Sequence, residues 1–198
     1  MIFRTQSLTY SLWSSAILIL LGAPIHAQDW TAGVAARTLE RPAHKALIAR
    51  IMGSDATLSP FESDGCSGGL SDAWQVVASR FPDFAEMHQS SPPWEGCCVA
   101  HDRAYHAATG ALDASTSFDG RLMADRDLEA CVVRVGADRV DALAKVYQVN
   151  PDQIAGAYDS IAQAMFLAVR FGGAPCSGLS WRWGFGYPPC SVVSGVFD

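Results

Sequence analysis

The sequence predicts a mainly α-helical exported domain with disulfide-linked helices and a small disulfide-closed tail. Three observations lead there. Apolar residues recur at helical spacing between recognisable caps, no alternating strand pattern of useful length occurs, and six cysteines follow an apolar N-terminal stretch. The 198 residues are 49% hydrophobic and 17% charged, which is enough apolar surface for one core. A net charge of −6 offers no basic field for phosphates, so an electrostatic nucleic-acid binder is excluded.

Residues 1–27 read as a cleaved export signal. Arg4 supplies the positive start, 12–23 are largely apolar, and Ala27 is a small residue at the expected cleavage point. The dense run 16–21 is short for a bilayer span. Cleavage leaves 28–198 as a single secreted or periplasmic domain. Arg4 is the only charged residue removed, so the net charge becomes −7. Cysteines in such a compartment pair as disulfides before they bind metal.

A helix is expected over 38–52, with Thr38 as N-cap, a stripe of Leu39, Ala43, Leu47, Ile48 and Ile51, and Gly53 as its stop. Residues 64–69, Asp-Gly-Cys-Ser-Gly-Gly, form turns. A short helix over 70–80 and a loop over 81–93 follow. Pro92-Pro93-Trp94 opens a helix to about Thr109, ended by Gly110. Asp119 can cap the next helix, whose stripe is Leu122, Leu128, Cys131 and Val132. Asn150-Pro151-Asp152-Gln153 joins a cap, a proline at the first helical position and a glutamine at the third. The helix it starts shows Ile154, Tyr158, Ile161, Met165 and Val169 on one face, and Gly172-Gly173 closes it. Cys176 and Cys190 bracket a tail rich in Gly, Pro and aromatics. There Trp181, Trp183, Phe185 and Tyr187 alternate with other residues, either as a hairpin with one face on the core or as an aromatic edge meeting lipid.

The chemistry concentrates in 97–105, Cys-Cys-Val-Ala-His-Asp-Arg-Ala-Tyr. On a helix, Cys97, His101 and Tyr105 share a face, while Cys98 and Asp102 form a second row. Adjacent helical cysteines point apart and bond to different segments, for which Cys66 and Cys131 are the candidates. Six cysteines allow fifteen pairings; the set adopted is Cys66–Cys98, Cys97–Cys131 and Cys176–Cys190. In an antiparallel helix pair that set brings Asp125 within about 3 Å of level with His101, at 1.5 Å of rise per residue. Asp125 lies on the inward stripe, where a carboxylate needs a partner; Asp127 projects elsewhere. His106 is expected to face solvent. Trp94 lines an acyl slot or packs the helix start. Asp64 is an added cation ligand or a turn former.

The stretch 97–105 resembles the helix motif of secreted phospholipase A2, C-C-x-x-H-D-x-x-Y. Gly65-Cys66-Ser67-Gly68-Gly69 resembles that family's calcium loop, X-C-G-X-G, and 124–132 resembles its segment with an aspartate six residues before a cysteine. The resemblance covers residues 64–133 and implies a disulfide-linked antiparallel helix pair of the phospholipase A2 type, with extra helices and the small disulfide-closed tail added. It implies His101 as general base, Asp125 as the carboxylate orienting it, and Tyr105 in the network holding that carboxylate. It also implies Ca²⁺ on the Asp102 carboxylate and the carbonyls of Gly65, Ser67 and Gly69. The family's two corresponding bridges coincide with Cys66–Cys98 and Cys97–Cys131. The implied substrate is phospholipid at a membrane or micelle interface, with no stable protein partner. A non-catalytic calcium- or lipid-binding module is the alternative; it would not require His101 and Asp125 together. Three departures stand out. Ser67 replaces a glycine, residues 70–96 form a long insert fit for a lid or substrate wall, and the family's second tyrosine beside the aspartate has no match.

Overall fold

The helical signals become seven α-helices, and no strand, among the residues that the computed structural model describes, 25–66 and 70–192. They are α1 (Ile25–Ile51), α2 (Leu70–Arg80), α3 (Pro82–His88), α4 (Glu95–His106), α5 (Ala114–Ala137), α6 (Val140–Tyr147) and α7 (Pro151–Gly172). A 3₁₀ turn, Ala108–Gly110, links α4 to α5. Residues 1–24 of the expected export signal lie outside the described residues, as do Ser67, Gly68 and Gly69. No helix of the described residues is long and apolar enough to cross a membrane. The chain divides into two compact units, Met1–Leu39 and Glu40–Asp198; the core, the disulfides and the site lie in the second.

Several boundaries differ from the sequence expectation for identifiable reasons. Thr38 does not cap α1. Its hydroxyl donates to the Val34 carbonyl at 2.9 Å, a back-bond inside a helix that starts earlier, and Leu39 is exposed. The expected loop 81–93 contains α3, because Pro82 at the first helical position carries a preset φ. The α5 cap is Asp113 rather than Asp119. Its carboxylate accepts from Ser115 and Thr116 N–H at 2.8 and 3.0 Å, and the Thr116 hydroxyl reaches back to complete a capping box. Asn150, Pro151 and Gln153 start α7 as expected.

Cys97 bonds Cys131 across α4 and α5, Cys66 bonds Cys98, and Cys176 bonds Cys190. Contacts between α4 and α5 step from Cys97–Cys131 through His101–Asp125 to Tyr105–Arg121, so the helices run antiparallel. One core cluster surrounds the two bridges to α4, with Trp94, Leu128, Val132, Leu143, Tyr158 and Ala162. A second joins Leu47, Tyr105, Ala108, Ala124 and Trp183. Gly136 lets α7 approach α5: a Cβ there would sit 2.4 Å from the Tyr158 ring.

The tail is a run of turns rather than a hairpin, and its backbone docks on other elements. Trp183 N–H donates to Gly173, Gly184 N–H to Tyr105 and Gly186 N–H to His106. Trp183 is fully buried, and its ring meets Tyr105 edge-on at 4.9 Å. His106 does not face solvent. It is buried between Phe61 and Phe185, in space left by Gly186. Trp94 packs edge-on against Trp74 and Tyr158.

Candidate active site

α4 and α5 deliver the pair that the spacing pointed to. His101 Nε2 lies 3.0 Å from Asp125 Oδ1, with Asp125 fully buried and His101 nearly so. A carboxylate accepts, so Nε2 carries the hydrogen and Nδ1 keeps the lone pair. Tyr105 O–H donates to the same Asp125 oxygen at 2.6 Å. Asp127 is exposed and takes no part.

Residues that the sequence reading did not single out hold this pair from behind. Arg170 of α7 donates to Asp125 Oδ2 at 2.8 Å and to Glu40 of α1 at 2.6 Å. Arg121, with no exposed surface, donates from Nε to the Tyr105 oxygen at 3.2 Å and pairs with Glu40. Its Nη2 also donates to the Val169 and Arg170 carbonyls at 2.8 and 2.6 Å, which satisfies the C-terminal end of α7. Gly173 fits beside them because a Cβ would lie 2.7 Å from the Tyr105 ring. Two guanidiniums and two carboxylates thus balance inside the protein. The sequence carries one faint signal for them, an arginine and a glutamate set among apolar helical stripes.

Behind Glu40 the network continues. Trp183 Nε1–H donates to Ser117 Oγ at 2.9 Å, and Ser117 lies 2.8 Å from His44 Nδ1. Ser117 accepts from Trp183, which can only donate, and its hydroxyl also meets His44 Nδ1. His44 Nε2 then faces Glu40 at 3.5 Å.

These placements shift the ionisations. Burial disfavours the His101 imidazolium, but the Asp102 and Asp125 carboxylates outweigh it and raise the pKa above the ordinary 6.5. Burial opposes ionised Asp125, yet hydrogen bonds from His101, Tyr105 and Arg170 lower its pKa. Glu40 is lowered too: burial is outweighed by His44 and the two arginines. Burial lowers His44 and raises Tyr105.

A pH dependence of stability follows. The unfolded chain protonates His44 near the ordinary 6.5 while the folded chain does not, so this contribution is complete above that pH and lost as pH falls through the folded value. Glu40 and Asp125, also lowered, lose their contributions further into acid. His101 has the opposite sign: it stabilises below 6.5, and the contribution is lost as pH rises through its raised value. The melting midpoint of calcium-free protein is therefore expected to fall from about pH 6.5 towards pH 4. His44→Gln should flatten the upper part of that slope; an unaltered slope would show that His44 does not titrate there.

His101 and Asp102 form the polar corner of a cavity of ≈ 350 Å³, whose wall includes Leu128, Met165, Ala168 and Trp181. Gly172 admits Trp181, since a Cβ there would meet its ring at 2.1 Å. None of the cavity's described lining residues belongs to 70–96. That insert gathers Trp74 against Phe84 and Trp94.

Asp102 faces a second cleft with Glu62, Ser63 and Asp64, and its Oδ2 accepts from Ser63 O–H at 2.7 Å. Gly65 turns at φ +79° beside it; a Cβ there would strike Glu95 and Ser71. Among the described residues no three His, Cys, Asp or Glu side chains cluster as a metal site. A site of one carboxylate plus backbone carbonyls is not of that type. The donors available here are hard oxygens, the ligand type of Ca²⁺, and every cysteine is in a disulfide. The positions of the Ser67 and Gly69 carbonyls lie outside the described residues. Compared with family models, with curated proteins and with solved structures, the chain matches none.

Proposed function

We propose that this chain is an exported, calcium-dependent hydrolase of the phospholipase A2 type. It would cleave a fatty-acyl ester of glycerophospholipids with a water activated by His101 and Asp125. One observation carries the reading: His101 is both paired to a buried carboxylate and part of the wall of a cavity that is apolar apart from His101 and Asp102. An acyl chain suits such a wall, at roughly 0.8 kcal/mol for each methylene buried.

The Nδ1 lone pair of His101 takes a proton from water as the water oxygen bonds to the ester carbonyl carbon. Asp125 holds the tautomer and stabilises the imidazolium. As the tetrahedral intermediate collapses, the acyl C–O bond breaks and the proton passes from Nδ1 to the departing alkoxide. The products are a fatty acid and a lysophospholipid. Asp102 and the carbonyls of Gly65, Ser67 and Gly69 would hold Ca²⁺, which when bound supplies positive charge for the ester carbonyl oxygen and the lipid phosphate.

The test is fatty-acid release from phospholipid vesicles by the purified protein. Release is expected with calcium, should stop with excess chelator, and should return when calcium is restored. Release that ignores the chelator, or none in either condition, overturns the proposal.

A further inference from the structure

Oδ1 of Asp125 takes two donors, His101 and Tyr105, and Oδ2 takes Arg170. Two donors on one oxygen leave a carboxylate able to swing about it; a third on the other oxygen fixes its plane. The resemblance in the sequence left Asp125 without a second tyrosine, and the structure places a guanidinium at its free oxygen. Arg170 is itself fixed. Its other nitrogen donates to Glu40, its guanidinium lies 5.5 Å from the Phe118 ring centre, and its side chain is 12% exposed. Glu40 is clamped in turn by Arg121. Three helices, α1, α5 and α7, therefore converge on one carboxylate.

We infer that Arg170, held by Glu40, is the positioning residue that sets the plane of Asp125 and through it the orientation of the His101 imidazole. This rests on the hydrolase reading above for its kinetic consequence, and on geometry alone for its structural one. Arg170 lies behind Asp125 and acts only through it. A planar fork is the group that can bridge two carboxylates in fixed geometry; a lysine ammonium would hold them as a point charge.

The experiment compares full-length wild type, Arg170→Gln and Arg170→Lys by two readouts. The first is kcat and KM for fatty-acid release with calcium. The second is the NMR signal of the His101 Nε2–H proton donated to Asp125, assigned by its loss in His101→Asn. Arg170→Gln is expected to lower kcat by about 10–10²-fold, the scale of losing an orienting partner or of a small misplacement. KM should change little, and the Nε2–H signal should broaden or vanish through exchange with water. Arg170→Lys should recover part of both. A folded Arg170→Gln with wild-type kcat and an intact Nε2–H signal overturns the inference. If Arg170→Gln does not fold, Arg170→Lys decides: no change from wild type in either readout overturns it. Should wild type itself release no fatty acid, the hydrolase reading fails, while the proton signal still tests the positioning.

Discussion

His101→Asn is expected to lower the rate of fatty-acid release by about 10²–10⁴-fold, the contribution of one positioned general base. Asparagine overlays the Nδ1 edge of the imidazole and stops short of Asp125, but the buried carboxylate keeps Tyr105 and Arg170 as donors. The amide has no lone pair of comparable basicity at the Nδ1 position. The fold should therefore survive, with the circular-dichroism spectrum and melting midpoint near those of wild type. Calcium binding, followed by calorimetry, should persist, because Asp102 and the loop are untouched. A variant retaining more than about a tenth of the activity would remove His101 from the role of base.

Arg121→Met carries the largest expected effect on stability. Arg121 is fully buried and touches Glu40, Tyr105 and two carbonyls at the end of α7. Methionine approaches its bulk but removes the guanidinium donor from the Arg170 carbonyl, leaves Val169 with Gly173 N–H, and leaves Glu40 with one less cation. Breaking a buried ion pair from one side costs about 3–5 kcal/mol. In a domain of this size each kcal/mol moves the melting midpoint by about 2–4 °C, so a fall on the order of 10 °C is expected by scanning calorimetry. An undiminished midpoint would show that water or a rearranged side chain replaces the guanidinium.

The chemistry of the pair was legible because it follows from local geometry. Helical spacing alone sets Cys97, His101 and Tyr105 on one face, and one disulfide to the facing helix then levels Asp125 with His101. Asn150 announced α7 for the same reason, since a cap, a proline and a glutamine act within one turn. Arg170, Arg121 and Glu40 were not legible. Each sits on a different helix, and their meeting depends on how α1 and α7 pack, which no spacing within one helix encodes. His106 misled because an unaccompanied histidine just past Tyr105 looks like surface; its burial is decided by Phe185 and Gly186, far along the chain. The tail misled differently. Alternation of aromatics with small residues suggests a strand, yet the partners of that backbone are Tyr105, His106 and Gly173, not another tail segment. The expected caps at Thr38 and Asp119 failed because both residues can also serve inside a helix, and a better cap lay upstream of Asp119.

The bond between Glu40 and Arg170 spans 130 positions of sequence. Contacts that distant form late, since the loop entropy must be overcome before they contribute. The two bridges around α4 close separations of only 32 and 34. On a ribosome, Asp125 is made 45 residues before the arginine that orients it. The order of synthesis therefore builds a delay into the molecule. His101 and its carboxylate can be joined early, but the last long helix must dock before they are held in register, so a chain cut short before α7 lacks both Arg170 and part of the core and cannot finish the site.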